Sequence, residues 1–515
     1  MDAKPVIKVY FKGVSLPSSE PGPHSTSLLL HCLMKPQNLL ILFSDEHNPK
    51  VLGAGGHPFI STPNLDALAA RGTRFTQGST PCPICVPARA SLATGRYNYE
   101  IGYWDNADAY EGRVPSWHHL LRAQGHRVVS IGKLHFRGHQ GDDHGFSEEI
   151  IPMHIVDGLG DLISLRRGPD APVRGGAKKM IGAAGPGESD YTRYDRDIAA
   201  QAQIWLRDEA PKYEDKPWVL FVSMVAPHFP LTAPPEHYYR YANMQLPMPK
   251  QYAQAERPRH PHLIDYSSTM NYDAHMKSEA DVRRALAGYF GLVSFMDEQV
   301  GKVMTALEET GLAANTSVLY TTDHGDNNGA RGLWGKSTMY EESVGVPMIL
   351  TGAAVPAGKV VTTPTNLVDV FATALDAVGA APEPSSGQSL FGLANAPSTD
   401  RMVLSEYHAA GSHEAIFMLQ DTRYKYVRCV TYPSQLFDRQ NDPEELRDVI
   451  ADPAYAPVVK RMEEALLARL DPAEVDARAK RRQAEVLAAA GGWDFAWKRG
   501  DLPFSPPPGV AASWS

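Results

Sequence analysis

Asn38-Leu39-Leu40-Ile41-Leu42-Phe43 is a continuous apolar run that ends in Ser44-Asp45-Glu46-His47. Such a run, with no polar alternation, suits a parallel strand buried on both faces. Three further runs share the pattern. Arg127-Val128-Val129-Ser130-Ile131 leads into Gly132-Lys133-Leu134-His135, Trp218 to Met224 leads into Ala226-Pro227-His228, and Ser317 to Thr322 leads into Asp323-His324-Gly325-Asp326. Helical patterns lie between them: Asn64 to Ala70, Ser116 to Gln124, Asp195 to Asp208, and a long one from Ala280 to Leu307. The alternation predicts an α/β fold, a large mostly parallel sheet sandwiched by helices. In open parallel sheets ligands bind outside the carboxyl ends of the strands. Asp45, Glu46, Lys133, His135, His228, Asp323 and His324 are therefore expected to converge.

Working outward, residues 136–185 and 230–277 show no firm period and read as two irregular excursions over the surface. Past about Pro384 the texture changes to short strands, Met402–Ser405, Ile416–Gln420 and Tyr424–Val430, followed by a helix from Ala456 to Leu470. This predicts a smaller C-terminal antiparallel α+β domain. The expected organisation is an N-terminal extension, disordered, over 1–33; a catalytic domain over 34–383; an α+β subdomain over 384–470; and a helix with a Pro-rich tail over 471–515.

The chain has 515 residues, a net charge of −9 and 43% hydrophobic residues, the composition of an ordinary globular protein. The acidic balance argues against a nucleic-acid partner and against a polybasic membrane anchor. No run reaches the ~18 apolar residues of a membrane span, and Leu28-Leu29-Leu30 is too short for a signal sequence. The expected location is the cytoplasm. Four cysteines, Cys32, Cys82, Cys85 and Cys429, make no disulfide framework, and Cys82 with Cys85 lacks the second pair of a zinc site.

The second informative stretch is Thr80-Pro-Cys-Pro-Ile-Cys85-Val-Pro87-Ala88-Arg89-Ala-Ser-Leu92-Ala-Thr94-Gly95-Arg96. Pro87 and the small residues fit a turn entering a helix whose N-terminus carries residue 85, a position that favours a nearby anion. Carboxylates and an imidazole would form a hard cation site suited to Ca²⁺, Mg²⁺ or Mn²⁺. Lys133 and Lys336 would add positive charge. Such a site holds a tetrahedral oxyanion, so the implied substrate is a sulfate or phosphate-type ester.

Cys85-Val-Pro-Ala-Arg89 and Leu92 to Arg96 resemble the signature of type I, formylglycine-dependent sulfatases of the alkaline phosphatase superfamily, with Ala88 where serine is commoner. The resemblance spans roughly residues 36–500. Tyr103-Trp-Asp-Asn106, Gly132 to Phe136, Asp323 to Lys336, Tyr340 to Ser343 and Leu436-Phe437-Asp438 are similar to segments of choline sulfatases and phosphonate monoester hydrolases. The resemblance implies an alkaline-phosphatase-like fold and conversion of Cys85 to formylglycine by a formylglycine-generating enzyme. One hydroxyl of the hydrate would attack sulfur, and collapse to the aldehyde would expel sulfate. Asp45, Glu46, Asp323, His324 and residue 85 would bind one divalent cation, Ca²⁺ first and Mn²⁺ as the alternative. Arg89 would fix the hydrate, Lys133 and Asn106 would hold sulfate oxygens, and His135 would take a proton from the hydrate. His228 and Lys336 would serve the leaving oxygen.

Arylsulfatase activity, with side activity on phosphonate monoesters and phosphodiesters, is the main reading. The alternatives for the main activity are phosphonate monoester or phosphodiester hydrolysis and choline sulfate hydrolysis, the last suggested by Trp493-Asp494-Phe495 but opposed by Ala410, where an acidic residue would be expected. A two-metal phosphatase or phosphomutase, or a sulfatase-like binding protein with an unconverted cysteine, are the competing classes. The resemblance also implies a homodimer or homotetramer built through the tail after Leu487.

Overall fold

The computed structural model describes residues 35–514, so the extension expected over 1–33 lies outside the described residues. Eight strands form the main sheet: β1 (Asn38–Asp45), β2 (Thr73–Phe75), β3 (Val128–Lys133), β4 (Glu148–Met153), β5 (Val219–Pro227), β6 (Thr316–Thr322), β7 (Met348–Thr351) and β8 (Lys359–Val361). Their order is β8-β2-β7-β6-β1-β5-β3-β4. β1 pairs in parallel with β5, Leu40 opposite Leu220, and with β6, Leu40 opposite Val318. β3 pairs in parallel with β4 and β5. Only β7 runs against its neighbours β2 and β6. Every residue of β1, β3, β5 and β6 is buried, which explains their unbroken apolar sequences.

The helices that bear on the site are α1 (Pro63–Arg71), α2 (Cys85–Thr94), α3 (Trp117–Ala123), α4 (Asp190–Ile204), α5 (Pro235–Ala242), α6 (Pro261–Met270), α7 (Glu279–Glu309) and α8 (Asp369–Ala377). Leu40 and Leu42 of β1 share one core with Leu220 and Val222 of β5, Ile198 of α4, and Met296 and Val300 of α7. Alternate residues of a strand face the other side of the sheet. There Phe43 lies under the guanidinium of Arg89 of α2, 5.0 Å from its ring centre. α8 touches α2, α3 and β1.

Two expectations are corrected. The excursion over 136–185 contains β4, an edge strand whose Glu148, Glu149 and Pro152 hide it from any apolar count. Charged residues and proline are what edge strands carry. The second excursion, 230–277, contains α5 and α6, each beginning with a proline, Pro235 and Pro261. Proline at the first helical position gives up an N–H that has no helical partner there.

The C-terminal sheet is an antiparallel meander of β9 (Val403–Tyr407), β10 (Ile416–Gln420), β11 (Tyr424–Cys429) and β12 (Gln435–Asp438). It reaches the signature directly. The Glu406 N–H donates to Pro81 O at 2.8 Å, and Glu406 Oε1 accepts from Tyr99 N at 2.9 Å. Helices α9 (Ala456–Leu467), α10 (Pro472–Ala489) and α11 (Gly492–Arg499) follow. Among the described residues no helix is long and apolar enough to cross a membrane.

Candidate active site

The sheet delivers its chemistry at one end. β1 stops at Asp45 and β3 at Lys133, β5 stops one residue before His228, and β6 one residue before Asp323. Cys85 is the first residue of α2, and all ten residues of that helix are buried. Gly95 ends the helix in the left-handed region, φ 66°, with its N–H on Ser91 O at 2.8 Å. The Val86 N–H, free at a helix start, donates to Asn106 Oδ1 at 3.1 Å.

Cys85 Sγ lies 3.3 Å from His324 Nε2, 3.7 Å from Asp45 Oδ1 and 3.2 Å from Lys336 Nζ. Lys336 Nζ also lies 3.3 Å from Glu46 Oε2, and His228 Nε2 lies 3.4 Å from that same oxygen. Arg89 ties the floor together. Its Nε donates to Asp323 Oδ2 at 3.0 Å and its Nη2 to Asp45 Oδ2 at 2.8 Å. Its Nη1 donates to Lys133 O at 2.8 Å and to Ser223 Oγ at 3.0 Å. Lys133 Nζ adds a 2.7 Å contact to Asp45 Oδ2.

The charges are set by burial and by one another. Burial works to raise the Asp45 carboxyl, but the Lys133 and Arg89 charges override it and hold it well below the usual carboxylate range. Burial, with Asp45 beside it, pushes Asp323 up to about 7. Burial also raises Glu46 well above its ordinary value, against the pull of Lys336. His324, His228 and His135 are all held well below the usual imidazole range, by burial first and by a neighbouring lysine second. The Cys85 thiol is pushed up to about 12 by burial and by Asp45.

One oxygen or nitrogen each of Asp45, Asp323 and His324, with Cys85 Sγ, all lie within 4.8 Å of one another, and Asp45, Glu46 and His228 form a second such group. Glu46 Oε1 is buried with no hydrogen-bond partner. His324 Nδ1 is engaged with Gly325 O at 3.0 Å, which leaves Nε2 as the free lone pair. The residues therefore fit a divalent cation with mainly oxygen ligands.

Cys85, Asn106, Lys133, His135, His228 and Lys336 line one cavity of about 110 Å³ above this floor. All eleven residues singled out from the sequence are thus brought together. Asp326, Ser223, Tyr191, Tyr266 and Ser505 belong to the same region and were not singled out. Asp326, buried and pushed up to about 7, sits within the quoted Asp323 to Lys336 segment and carried the only available signal. Ser223 lies inside an apolar strand, and Ser505 in a Pro-rich tail, so neither had one. His47 bonds Tyr320 Oη and Val51 O, and His144 pairs with Glu149 at 2.9 Å away from the cavity. Trp493 packs beside Arg166, 4.6 Å from ring centre to guanidinium, outside the cavity.

A family model described as sulfatase matches residues 37–380, and one described as N-sulphoglucosamine sulphohydrolase, C-terminal, matches residues 329–471. The choline-sulfatase of Rhizobium meliloti (strain 1021) is 32% identical over 426 residues, which cover 81% of this chain and 83% of that protein. Arylsulfatase K of Bos taurus is 27% identical over 445 residues, covering 80% and 78% respectively. The crystal structure of the phosphonate monoester hydrolase of Agrobacterium radiobacter superposes with a TM-score of 0.66 over 86% of this chain and 96% of that one; at 22% identity this likeness concerns the fold alone. With two thirds of its length matched by the family model and its strand ends gathered around Cys85, the chain belongs to the sulfatase family and is a sulfuric ester hydrolase.

Proposed function

We propose that the chain hydrolyses aryl sulfate monoesters, with side activity on phosphonate monoesters and phosphodiesters. One observation carries this reading. The cavity that ends on Cys85, Lys133, His228 and Lys336 is walled by Phe229, Tyr266, Tyr272 and Phe504. Its floor suits an oxyanion, and its walls suit a flat apolar leaving group.

Residue 85, as formylglycine, would supply the oxygen nucleophile, and a divalent cation held by Asp45, Glu46, Asp323 and His324, with Ca²⁺ first and Mn²⁺ as the alternative, would supply Lewis-acid stabilisation of the oxyanion. Burial pushes the Cys85 thiol up to about 12, so an unconverted Cys85 would stay neutral and be a poor nucleophile. A formylglycine-generating enzyme is then a required partner during synthesis.

The remaining roles fall to this chain's own side chains. Arg89 fixes Asp45 and Asp323 through its paired donors and so sets the position of the floor. Lys133 and the amide nitrogen of Asn106 hold substrate oxygens, the Asn106 oxygen being spent on Val86 N. Burial opposes the Lys336 charge, but the neighbouring carboxylates Glu46, Asp45 and Asp323 help raise it well above its ordinary value, so it keeps its proton. Lys336 is therefore the group that stabilises or protonates the departing oxygen. His228 is neutral, with Nδ1–H donating to Phe229 O at 2.6 Å, so Nε2 is its working nitrogen. His135 accepts a proton from residue 85.

A second reading, choline sulfate hydrolysis, is favoured by the same ring faces, which attract a quaternary ammonium group. Ala410, on the cavity wall, offers that cation no charge. The test is a panel of aryl sulfate, choline sulfate and phosphonate monoester, assayed on protein co-produced with a formylglycine-generating enzyme. Aryl sulfate is expected to show a kcat/KM at least ~10-fold above the others, the discrimination of a well-matched pocket. A preference for choline sulfate would overturn the aryl reading.

A further inference from the structure

The tail read from sequence as a Pro-rich terminus crosses the active-site cavity of its own chain. Asp501, Leu502, Pro503, Phe504 and Ser505 all line it. The crossing is fastened at both ends. Arg174 Nε donates to Asp501 Oδ1 at 2.9 Å, and Gly175 N donates to Asp501 Oδ2 at 2.6 Å. At the other end the Tyr191 hydroxyl donates to the Ser505 carbonyl. Between them Phe504 packs edge-on against Tyr191 and Phe229, with ring centres 5.7 and 6.1 Å apart.

This strap touches one residue of the proposed machinery through a side chain. His135 Nε2 and Ser505 Oγ lie 2.9 Å apart across 370 residues of sequence, and both residues are 6% exposed. The other ring nitrogen, Nδ1, is buried and has no protein partner. Which nitrogen of an imidazole exchanges protons is set by the bond the other nitrogen makes.

We propose that Ser505, carried by the strap, is the positioning residue for His135: it occupies Nε2 and leaves Nδ1 for proton exchange in the cavity. The inference rests on the reading of the cavity as the ester-hydrolysing site. Under it the active site is incomplete without the C-terminal segment. Tyr191 acts in the same unit, because it anchors the Ser505 backbone.

The test uses full-length, converted protein and the variants Ser505→Ala, Tyr191→Phe and their combination. Ser505→Ala is expected to lower kcat by ~10-fold, a part of the gain a general base supplies, with KM within about twofold. Tyr191→Phe should lower kcat less, and the double variant should be no slower than Ser505→Ala, because the two groups act as one unit. Wild-type kcat in Ser505→Ala, or additive losses in the double variant, would overturn the proposal. A substrate-independent measurement separates this from failure of the ester reading. In ¹⁵N-histidine spectra, Ser505→Ala should move the ring signals of a single histidine, identified as His135 by their absence in His135→Ala. Unmoved signals would overturn the positioning role whatever ester is turned over. Moved signals with no ester hydrolysed would support it and sink the ester reading instead.

Discussion

Residue 85 sits at the N-terminus of a wholly buried helix, 3.2 Å from one lysine and 3.3 Å from an imidazole, yet its thiol is pushed up to about 12. Desolvation and Asp45 outweigh the lysines. The surroundings are therefore poor for a thiolate. Cys85→Ala is expected to abolish turnover, a loss on the order of 10⁴-fold or more. It should cost only about 1 kcal/mol of stability, since one buried atom is removed. Activity assays beside thermal unfolding check both parts, and a fully active Cys85→Ala protein would sink the mechanism. At this scale the sequence was most informative where charge interrupts an apolar run. Asp45, Lys133, His228 and Asp323 stood out because nothing about a buried strand calls for them. Tyr191 and Tyr266 did not stand out, because Tyr191 lies just ahead of the helix read from Asp195 and Tyr266 inside the stretch read as irregular, where no pattern marks a tyrosine as part of a site.

At the scale of elements, packing overrides local preference in α7. Gly288 lies in the middle of this helix, where alanine would ordinarily be favoured by about 1 kcal/mol. A Cβ built there would lie 2.2 Å from the Leu231 carbonyl oxygen. That carbonyl already accepts from Gly185 N at 3.1 Å. Leu231 follows His228 by three residues, so moving it disturbs the cavity wall. Gly288→Ala is expected to destabilise the protein by about 1–3 kcal/mol, the usual cost of overpacking, and to lower kcat as well. Urea unfolding with parallel kinetics tests this; a rise in stability would show that the segment yields freely. The same competition explains what was legible among the elements. Strands β1, β3, β5 and β6 and the long helix α7 were readable because burial on both faces, or a sustained helical period, leaves a strong signature. β4 was missed because an edge strand is half solvated and carries two glutamates and a proline. α5 and α6 were missed because short helices rich in tyrosine and histidine, each opened by a proline, look like loops until their packing is known.

Across the whole molecule the sheet gathers more negative than positive charge at one buried point. Asp45, Glu46, Asp323 and Asp326 are buried there with Arg89 and Lys133, and Lys336 is nearly so. Four carboxylates against three cations leave an excess that burial makes costly. The molecule answers by raising Glu46, Asp323 and Asp326 toward their neutral forms, Asp323 and Asp326 to about 7. A divalent cation would remove that need, because its charge favours the ionised carboxylates. The consequence is a linkage between cation binding and pH. Without the cation, Asp323 binds its proton more tightly in the folded state than in the unfolded state, where its value is near the ordinary 3.8. Stability from that proton is complete below the unfolded value and is lost as pH rises through about 7. With the cation bound, the carboxylate is ionised throughout and this loss does not occur. Chelation is therefore expected to abolish turnover and to lower the unfolding temperature, by more at about pH 8 than at about pH 6. Differential scanning calorimetry with and without chelator at both pH values measures the gap. A gap that stayed constant between them would mean that Asp323 does not carry the protonation switch, and the cation would then have to be held by groups that are ionised in its absence.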